Sequence, residues 1–417
     1  MTQDSMFQIS EVMSDIPEAQ SILINQIVYE LKRKGHNPTV LSLGEAYFDI
    51  PKFEFGKTDF ENGYHYSDSL GIPSLRQKIA NYYKSQYLAD VDAEREMIIT
   101  VGSKAVIYMA MRVILNAGDE VLIHEPYWLS YPAQAAICGA VSKFIPHYVP
   151  VGEFESYFTA KTRILIINNP NNPSGKVYSR EELRTLRNLC RSRGVYFLCD
   201  EAYSDFTLEK PFVSAATDAG DLDGLLVVNS LSKNQGISGW RIGYLIAHRK
   251  FISHMLVLNQ HLITCASTVL LQYCDRNFER LLEITLPQAR KMVEKRSRIA
   301  KMMDDLKIGY LPGSATFYFL VSIGDFPGTS EEFAVRLLFQ KHIAVVPGTA
   351  YGDSTSRYVR LSVGAESEER IWEALQVFKA VTLVGSLDPL DILAVSERLG
   401  LRSSVAGLIG GQQKRLK

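Results

Sequence analysis

Between residues 19 and 34, AQSILINQIVYELKRK, apolar side chains recur at helical spacing and the stretch closes on a basic turn before Gly35. That pattern predicts an amphipathic helix with glycine as its stop. Further along, two rhythms alternate. Short runs rich in branched residues occur at MIITV (97–101), EVLIHEP (120–126), RILIINN (163–169), VYFLCD (195–200), LLVVNS (225–230) and GYLIA (243–247). Between most of them lie helical patterns such as SKAVIYMAMRVILNAG and SREELRTLRNLCRSRG. The second opens with Ser179 and Glu182, the spacing of a capping box. Strand runs alternating with helical runs predict βαβ units, hence an α/β fold with a mainly parallel sheet.

From about residue 285 the rhythm changes. A long polar helical stretch (287–306) precedes strand-like TFYFLVSI, a helix, IAVVPG, YVRLSV and a last helix, the order of a smaller α+β domain. After these comes SLDPLDILAVSERLG, where Asp388 and Pro389 read as the start of one more short helix and Gly400 as its end. No internal repeat or low-complexity linker interrupts the chain.

Open α/β sheets bind ligands beyond the carboxyl ends of their strands. Here those ends carry the polar residues. Gly102-Ser103-Lys104 follows the first run, Glu125-Pro126-Tyr127-Trp128 the second, NNPNNPSG the third, DEAY the fourth, and Ser230 to Lys233 the fifth. Five successive strand ends therefore face one crevice.

Composition narrows the function classes. Among 417 residues, 46% are hydrophobic and 22% charged, and the formal net charge of −1 sets up no broad field toward nucleic acid or an anionic membrane. The cysteines, Cys138, Cys190, Cys199, Cys265 and Cys274, are odd in number and form no CxxC pair, which argues against a zinc site or a disulfide scaffold. The first residues show no basic region followed by an apolar core, and no run approaches a membrane span of ~18 apolar residues. The expectation is a cytoplasmic protein with no nucleic-acid or membrane partner. A dinucleotide fold is disfavoured by the lack of GxGxxG after a strand. A P-loop is excluded too, because PNNPSGKV lacks its opening glycine and the Ser/Thr after lysine.

Singly, each polar group has an ordinary explanation: NNPNNPSG as two turns, GSK as a helix cap, Lys233 as a surface charge, Trp128 as core, Arg360 as an outward residue of an edge strand. Together they define one chemistry. Arg241, Ser230, Ser232 and the Gly102–Lys104 turn supply an arginine, hydroxyls and a helix N-terminus for a phosphate. Lys233 offers an amine for an aldehyde, Asp200 a carboxylate for a protonated ring nitrogen, Trp128 a ring face, and Arg360 a two-point grip on a carboxylate. These are the requirements of pyridoxal phosphate.

At these motifs the chain resembles the class I and II aminotransferases of fold type I. The resemblance runs from LSLGEAYF (41–48) to YVRLSVGAESEERIWEAL (358–375). It rests on Ser230, Ser232, Lys233 and Arg241, on the turn Asn169–Gly175, and on Asp200–Tyr203. It implies a large domain (46–285) with a mainly parallel seven-stranded sheet and a small α+β domain (286–384). An N-terminal arm joined to the small domain (1–45) and a C-terminal extension (385–417) complete the division. It also implies roles: Lys233 to hold pyridoxal 5'-phosphate and shuttle a proton, Asp200 to keep the ring nitrogen protonated, and Tyr203 and Asn172 to bond the ring oxygen. Trp128 would stack on the ring, while Gly102, Ser103, Lys104, Ser230, Ser232 and Arg241 would surround the phosphate. Tyr66 would reach the phosphate of a partner subunit, which implies a homodimer. Arg360 would bind the substrate carboxylate beside the backbone of Gly44.

The implied reaction exchanges an amino group between an L-amino acid and a 2-oxo acid. A lyase, cyclase or oxidase on the same scaffold shares its first steps and is the alternative; a regulator would need a DNA-binding appendage that this N-terminus does not offer. Two departures bear on substrate. GEAYFD (44–49) replaces the family's usual GEPDF, putting Ala46 and Tyr47 in a loop that lies over the substrate in relatives. Lys104 matches a lysine that an aspartate-using subgroup of the family places near the distal carboxylate, which implies a dicarboxylic substrate, but SDIPEAQS lacks that subgroup's serine and threonine, and its Asp15 and Glu18 would oppose one.

Overall fold

The structure is a computed structural model that describes residues 9–208 and 212–384. The helix expected in SLDPLDILAVSERLG and the rest of the C-terminal extension lie outside the described residues.

Among the described residues there are twelve strands: β1 (Thr39–Val40), β2 (Met97–Thr100), β3 (Glu120–His124), β4 (Val141–Ile145), β5 (Thr162–Asn168), β6 (Tyr196–Asp200), β7 (Leu225–Ser230), β8 (Gly243–Ala247), β9 (Tyr318–Ser322), β10 (Ile343–Ala344), β11 (Val346–Pro347) and β12 (Tyr358–Ser362). Seven of them form one sheet in the order β2-β8-β7-β6-β5-β3-β4. Neighbours from β7 to β4 are parallel, while β8 is antiparallel to both β7 and β2. Six strands thus share one direction, and the five strand ends singled out from sequence do open on the same edge. Register keeps them level: Asn168 is opposite Asp200, and Asp200 is opposite Val228.

The apolar runs are continuous because both faces of this sheet are covered. Met97, Ile99, Leu165, Phe197 and Val227 point into one buried cluster, and Ile98, Ile123, Ile166, Leu198 and Leu226 into another on the opposite face. The exception is β4, which the hydrophobic pattern missed. It is one of the sheet's two edges, and of its residues only Ile145 is buried. Gly243 serves a close approach: a Cβ there would meet the Ser103 nitrogen at 2.3 Å, where β8 passes under the helix Ser103–Ile114.

The smaller sheet runs β11-β12-β9, so Arg360 sits on its central strand and not on an edge. β1 pairs in parallel with β10 and brings the N-terminal segment onto this unit. The amphipathic helix Gln20–Arg33 buries Leu23, Ile24, Ile27, Val28 and Leu31 against Val335 and Leu338. Gly35 follows it at φ +86°, and the predicted capping box of Arg180–Arg193 forms, with Ser179 accepting from the Glu182 amide.

The long helix starts at Thr268, well before the polar stretch that begins at 287, and runs unbroken to Asp305. Pro287 lies inside it, where a start was expected; flanking packing holds the turn despite one missing N–H. Its first part, through Leu271, Cys274, Phe278 and Leu282, joins the core of the large sheet. Its second part, through Ala289, Val293, Ile299 and Met303, joins the core around β9 and β12. Among the described residues no helix is long and apolar enough to cross a membrane, and no group of side chains is arranged to hold a metal.

Candidate active site

At the carboxyl edge of the large sheet, against the smaller one, lies a cavity of about 490 Å³. Gly44, Ser103, Lys104, Trp128, Asn172, Asp200, Tyr203, Ser230, Ser232, Lys233, Arg241 and Arg360 all line it. Gly102 stands just behind, at φ +89°, and a Cβ there would strike the Arg241 guanidinium at 2.6 Å. Glycine therefore lets that guanidinium lie along the first turn of the helix Ser103–Ile114, where free amides and the helix dipole favour an anion.

Lys233 sits in a short helical turn, Leu231–Asn234, directly after β7. Its Nζ donates to the Gly44 carbonyl at 2.6 Å. Burial lowers its pKa to about 8; Glu45 pulls it up, and Arg360 and Arg241 push it further down. Near neutrality a usable fraction of the amine is uncharged and nucleophilic.

Asp200 ends β6 and is buried. The Tyr131 hydroxyl donates to its Oδ2 at 2.6 Å and the Ala202 amide to its Oδ1 at 3.1 Å. Burial raises its pKa to about 6, against the lowering effect of these two bonds. It stays mostly ionised at neutral pH yet is a stronger base than an exposed carboxylate, which suits a group that must keep a ring N–H in place.

Tyr203 is buried one turn beyond, and its hydroxyl is 2.9 Å from that of Tyr318 and 3.4 Å from Asn172 Nδ2. Asn172 is held by its own amide, which donates to Asn168 Oδ1 at 2.6 Å. The turn that carries it is braced from the smaller unit: the Arg296 guanidinium donates to the carbonyls of Ser174, Gly313 and Tyr318. Arg360 is buried, donates to the Ser42 carbonyl at 2.6 Å, and packs over the faces of Tyr318 and Tyr351. The Lys104 ammonium stands 5.1 Å above the Trp128 ring; burial, then Arg241, lowers its pKa.

Other expected positions fall outside this cavity. Tyr66 is 84% exposed and does not line this chain's cavity. In the GEAYFD loop only Gly44 reaches the cavity; Ala46 packs inward among core residues and Tyr47 is turned to solvent. Glu18 lines a neighbouring cavity, not this one. Sequence reasoning missed Ser21, Asn25, Asn168, Ser238 and Tyr318 in the lining, and Tyr131 behind Asp200. Of these, Tyr131 stands three residues beyond Trp128 and was within reach of the pattern.

Pyridoxal phosphate fits what is present. The buried Oγ of Ser230, Oδ1 of Asn172 and Nε of Arg360 have no protein partner, so donors and acceptors for a polar ligand remain free. A carboxylate, an aromatic face, an amine and an anion-binding helix start converge on a cavity of suitable size.

The comparisons agree with this geometry. The family described as aminotransferase class I and II matches residues 31–378. An aspartate aminotransferase of Thermotoga maritima is 29% identical over 88% of this chain and 97% of its own length. An aromatic-amino-acid aminotransferase of Thermococcus litoralis is 30% identical over 82% and 90%. The structure of the Thermus thermophilus aspartate aminotransferase with maleate superposes with a TM-score of 0.81 at 27% identity, covering 90% of this chain and all of that one. The chain belongs to the class I and II aminotransferase family. It is a fold type I aminotransferase that uses pyridoxal phosphate.

Proposed function

We propose that this enzyme transfers the amino group of a dicarboxylic L-amino acid, aspartate or glutamate, to a 2-oxo acid in two half-reactions, and that it acts as a homodimer. In this reading Ser103, Ser230, Ser232 and Arg241 hold the cofactor phosphate, Trp128 the ring face, Asp200 the ring nitrogen, and Tyr203 with Asn172 the ring oxygen. The bound cofactor supplies an aldehyde that captures the amine and a protonated ring that draws electrons from Cα. Arg360 fixes the α-carboxylate by paired hydrogen bonds. Lys233 Nζ, released when the substrate amine takes its place, removes the Cα proton and later returns it. Exposed Tyr66 reaches the phosphate of the partner subunit.

The surplus of cations in the cavity wall carries the substrate assignment. Lys104, Lys233, Arg241 and Arg360 face a single lining acid, Asp200. The phosphate answers Arg241, the α-carboxylate answers Arg360, and Lys233 is taken up by its linkage to the cofactor. Lys104 is left, partly desolvated beside Trp128, and a second substrate carboxylate is the group it favours. Glu18, in the neighbouring cavity, does not counter it. The two relatives named as aspartate aminotransferases support this choice; the aromatic one names the rival.

Half-reaction spectroscopy on the loaded enzyme tests it. Aspartate or glutamate should react fastest, and Lys104→Ala should cost those substrates roughly ten- to a hundredfold in kcat/KM, the worth of one charge-assisted bond. Faster reaction of an aromatic or neutral amino acid with the wild type, or an equal loss for all substrates in the variant, would reject the dicarboxylate.

A further inference from the structure

We propose that Tyr318 is a positioning residue that fixes the direction of the Tyr203 proton: its hydroxyl donates to Tyr203, so that Tyr203 donates in turn to the ring oxygen of the cofactor. The inference rests on the assignment of Tyr203 given above and adds a residue to it.

A hydroxyl has one proton and two acceptor sites. Tyr203 is approached by the Asn172 amide, which can only donate, and by the Tyr318 hydroxyl, which can do either. If Tyr203 gave its proton to Tyr318, it would have none for the cofactor. The surroundings of Tyr318 choose the other direction. Its hydroxyl is buried, and among the described residues its one hydrogen bond is the 2.9 Å contact with Tyr203. Its ring lies under the Arg360 guanidinium at 4.8 Å, and a cation on that face makes the phenol a better donor. Gly44 leaves room for this hydroxyl, since a Cβ there would sit 3.2 Å from it.

Burial raises both phenols, Tyr203 the more strongly, which leaves Tyr318 the more acidic of the two and the better donor. Arg360 favours the more acidic phenol at both Tyr203 and Tyr318; Glu45 and Asp200 oppose ionisation at Tyr318 and Tyr203 respectively. Tyr351, on the other side of Arg360, stays neutral because it is buried. Lys233 feels Arg360 and Glu45 as well. The result is a chain, Arg360–Tyr318–Tyr203, from the carboxylate grip to the ring oxygen. Each donor in such a chain strengthens the next. A stronger donor on the ring oxygen stabilises its anionic form and so lowers the pH at which the Lys233–cofactor linkage gives up its proton.

The test is a spectrophotometric pH titration of the bound cofactor in a double-mutant cycle. Tyr318→Phe removes one hydroxyl and keeps the buried ring. It should raise the titration midpoint by roughly 0.1–0.7 pH units, a tenth to a third of one charge-assisted bond. Tyr203→Phe should raise it further. In the Tyr203→Phe background the Tyr318 substitution should then do nothing, because its route to the cofactor is gone. An equal increment in both backgrounds, or no shift in the single variant, overturns the inference, since packing alone does not depend on the Tyr203 hydroxyl. Failure of the underlying reading shows separately: Tyr203→Phe alone would then leave the midpoint at its wild-type value.

Discussion

Lys233 and Gly44 lie 189 positions apart in the chain, yet the lysine Nζ donates to the glycine carbonyl at 2.6 Å. The bond brings the segment just after β1 down onto the loop after β7. It also holds the amine at the mouth of the cavity with its pKa lowered to about 8, chiefly by burial.

Replacing this lysine has a definite expected outcome. Lys233→Ala should fold, as judged by circular dichroism, and bind the cofactor without the pH-dependent absorbance of a covalent linkage. In cofactor-free wild type, the rate of attachment should rise through pH 8, where the amine loses its proton, and level off well below 10.5. Stopped-flow absorbance between pH 6 and 10 measures it. A rate still climbing at pH 10 would place the amine in water.

Asp200 links function and stability with opposite signs. Its carboxyl is raised from 3.8 to about 6 by burial, so the folded cofactor-free protein binds more protons than the unfolded chain between those values. Stability from this group therefore falls as pH rises through that window, by roughly 3 kcal/mol at 1.36 kcal/mol per pH unit. Asp200→Asn should flatten that part of the urea-midpoint profile while lowering kcat by roughly 10²- to 10⁴-fold in the loaded enzyme. Buried Glu201, raised to about 8 chiefly by burial, adds a second slope of the same sign, and Asp200→Asn eases part of it too because the Asp200 charge contributes to that rise. Retained turnover in the variant would remove Asp200 from the ring nitrogen.

Arg360→Lys keeps the charge and loses the fork. An ammonium cannot give the paired geometry of a guanidinium, and its shorter reach leaves the Ser42 carbonyl without its donor. The expected loss is roughly ten- to a hundredfold in kcat/KM, carried mostly by KM, with the cofactor spectrum intact. Steady-state kinetics against one amino acid suffices, and an unchanged KM would contradict the assignment.

The exposure of Tyr66 leads to a prediction about assembly. A tyrosine 84% open to water in one chain, on a matched family motif, should be covered in the active form. Sedimentation at assay concentration should show a dimer, and Tyr66→Phe should weaken cofactor retention without dissociating it. A fully active monomer would reject both.

The sheet and most of the site were legible because their signals are local. Residues that close a turn at a strand end, such as Ser230–Lys233 or Asn169–Gly175, carry type and spacing together. What escaped depends on neighbours distant in sequence. Tyr318 sits in TFYFLVSI, where alternation makes any aromatic read as core; its hydroxyl acquires meaning only when β9 places it against Tyr203. β4 is short of apolar residues because its edge faces water. The start of the long helix was hidden because Pro287 looks like a beginning, and only packing against two cores shows that it is an interior residue. β1, a two-residue strand, has no pattern of its own and exists through pairing with β10.

The helix Thr268–Asp305 changes its allegiance from one core to the other around Pro287. At that residue the ladder lacks the bond to the Glu283 carbonyl, so bending costs least there. Lys233 belongs to the body on one side of the bend and Arg360 to the body on the other. A tilt of a few degrees at that imide would change the span between the amine and the guanidinium while leaving each hydrophobic core intact.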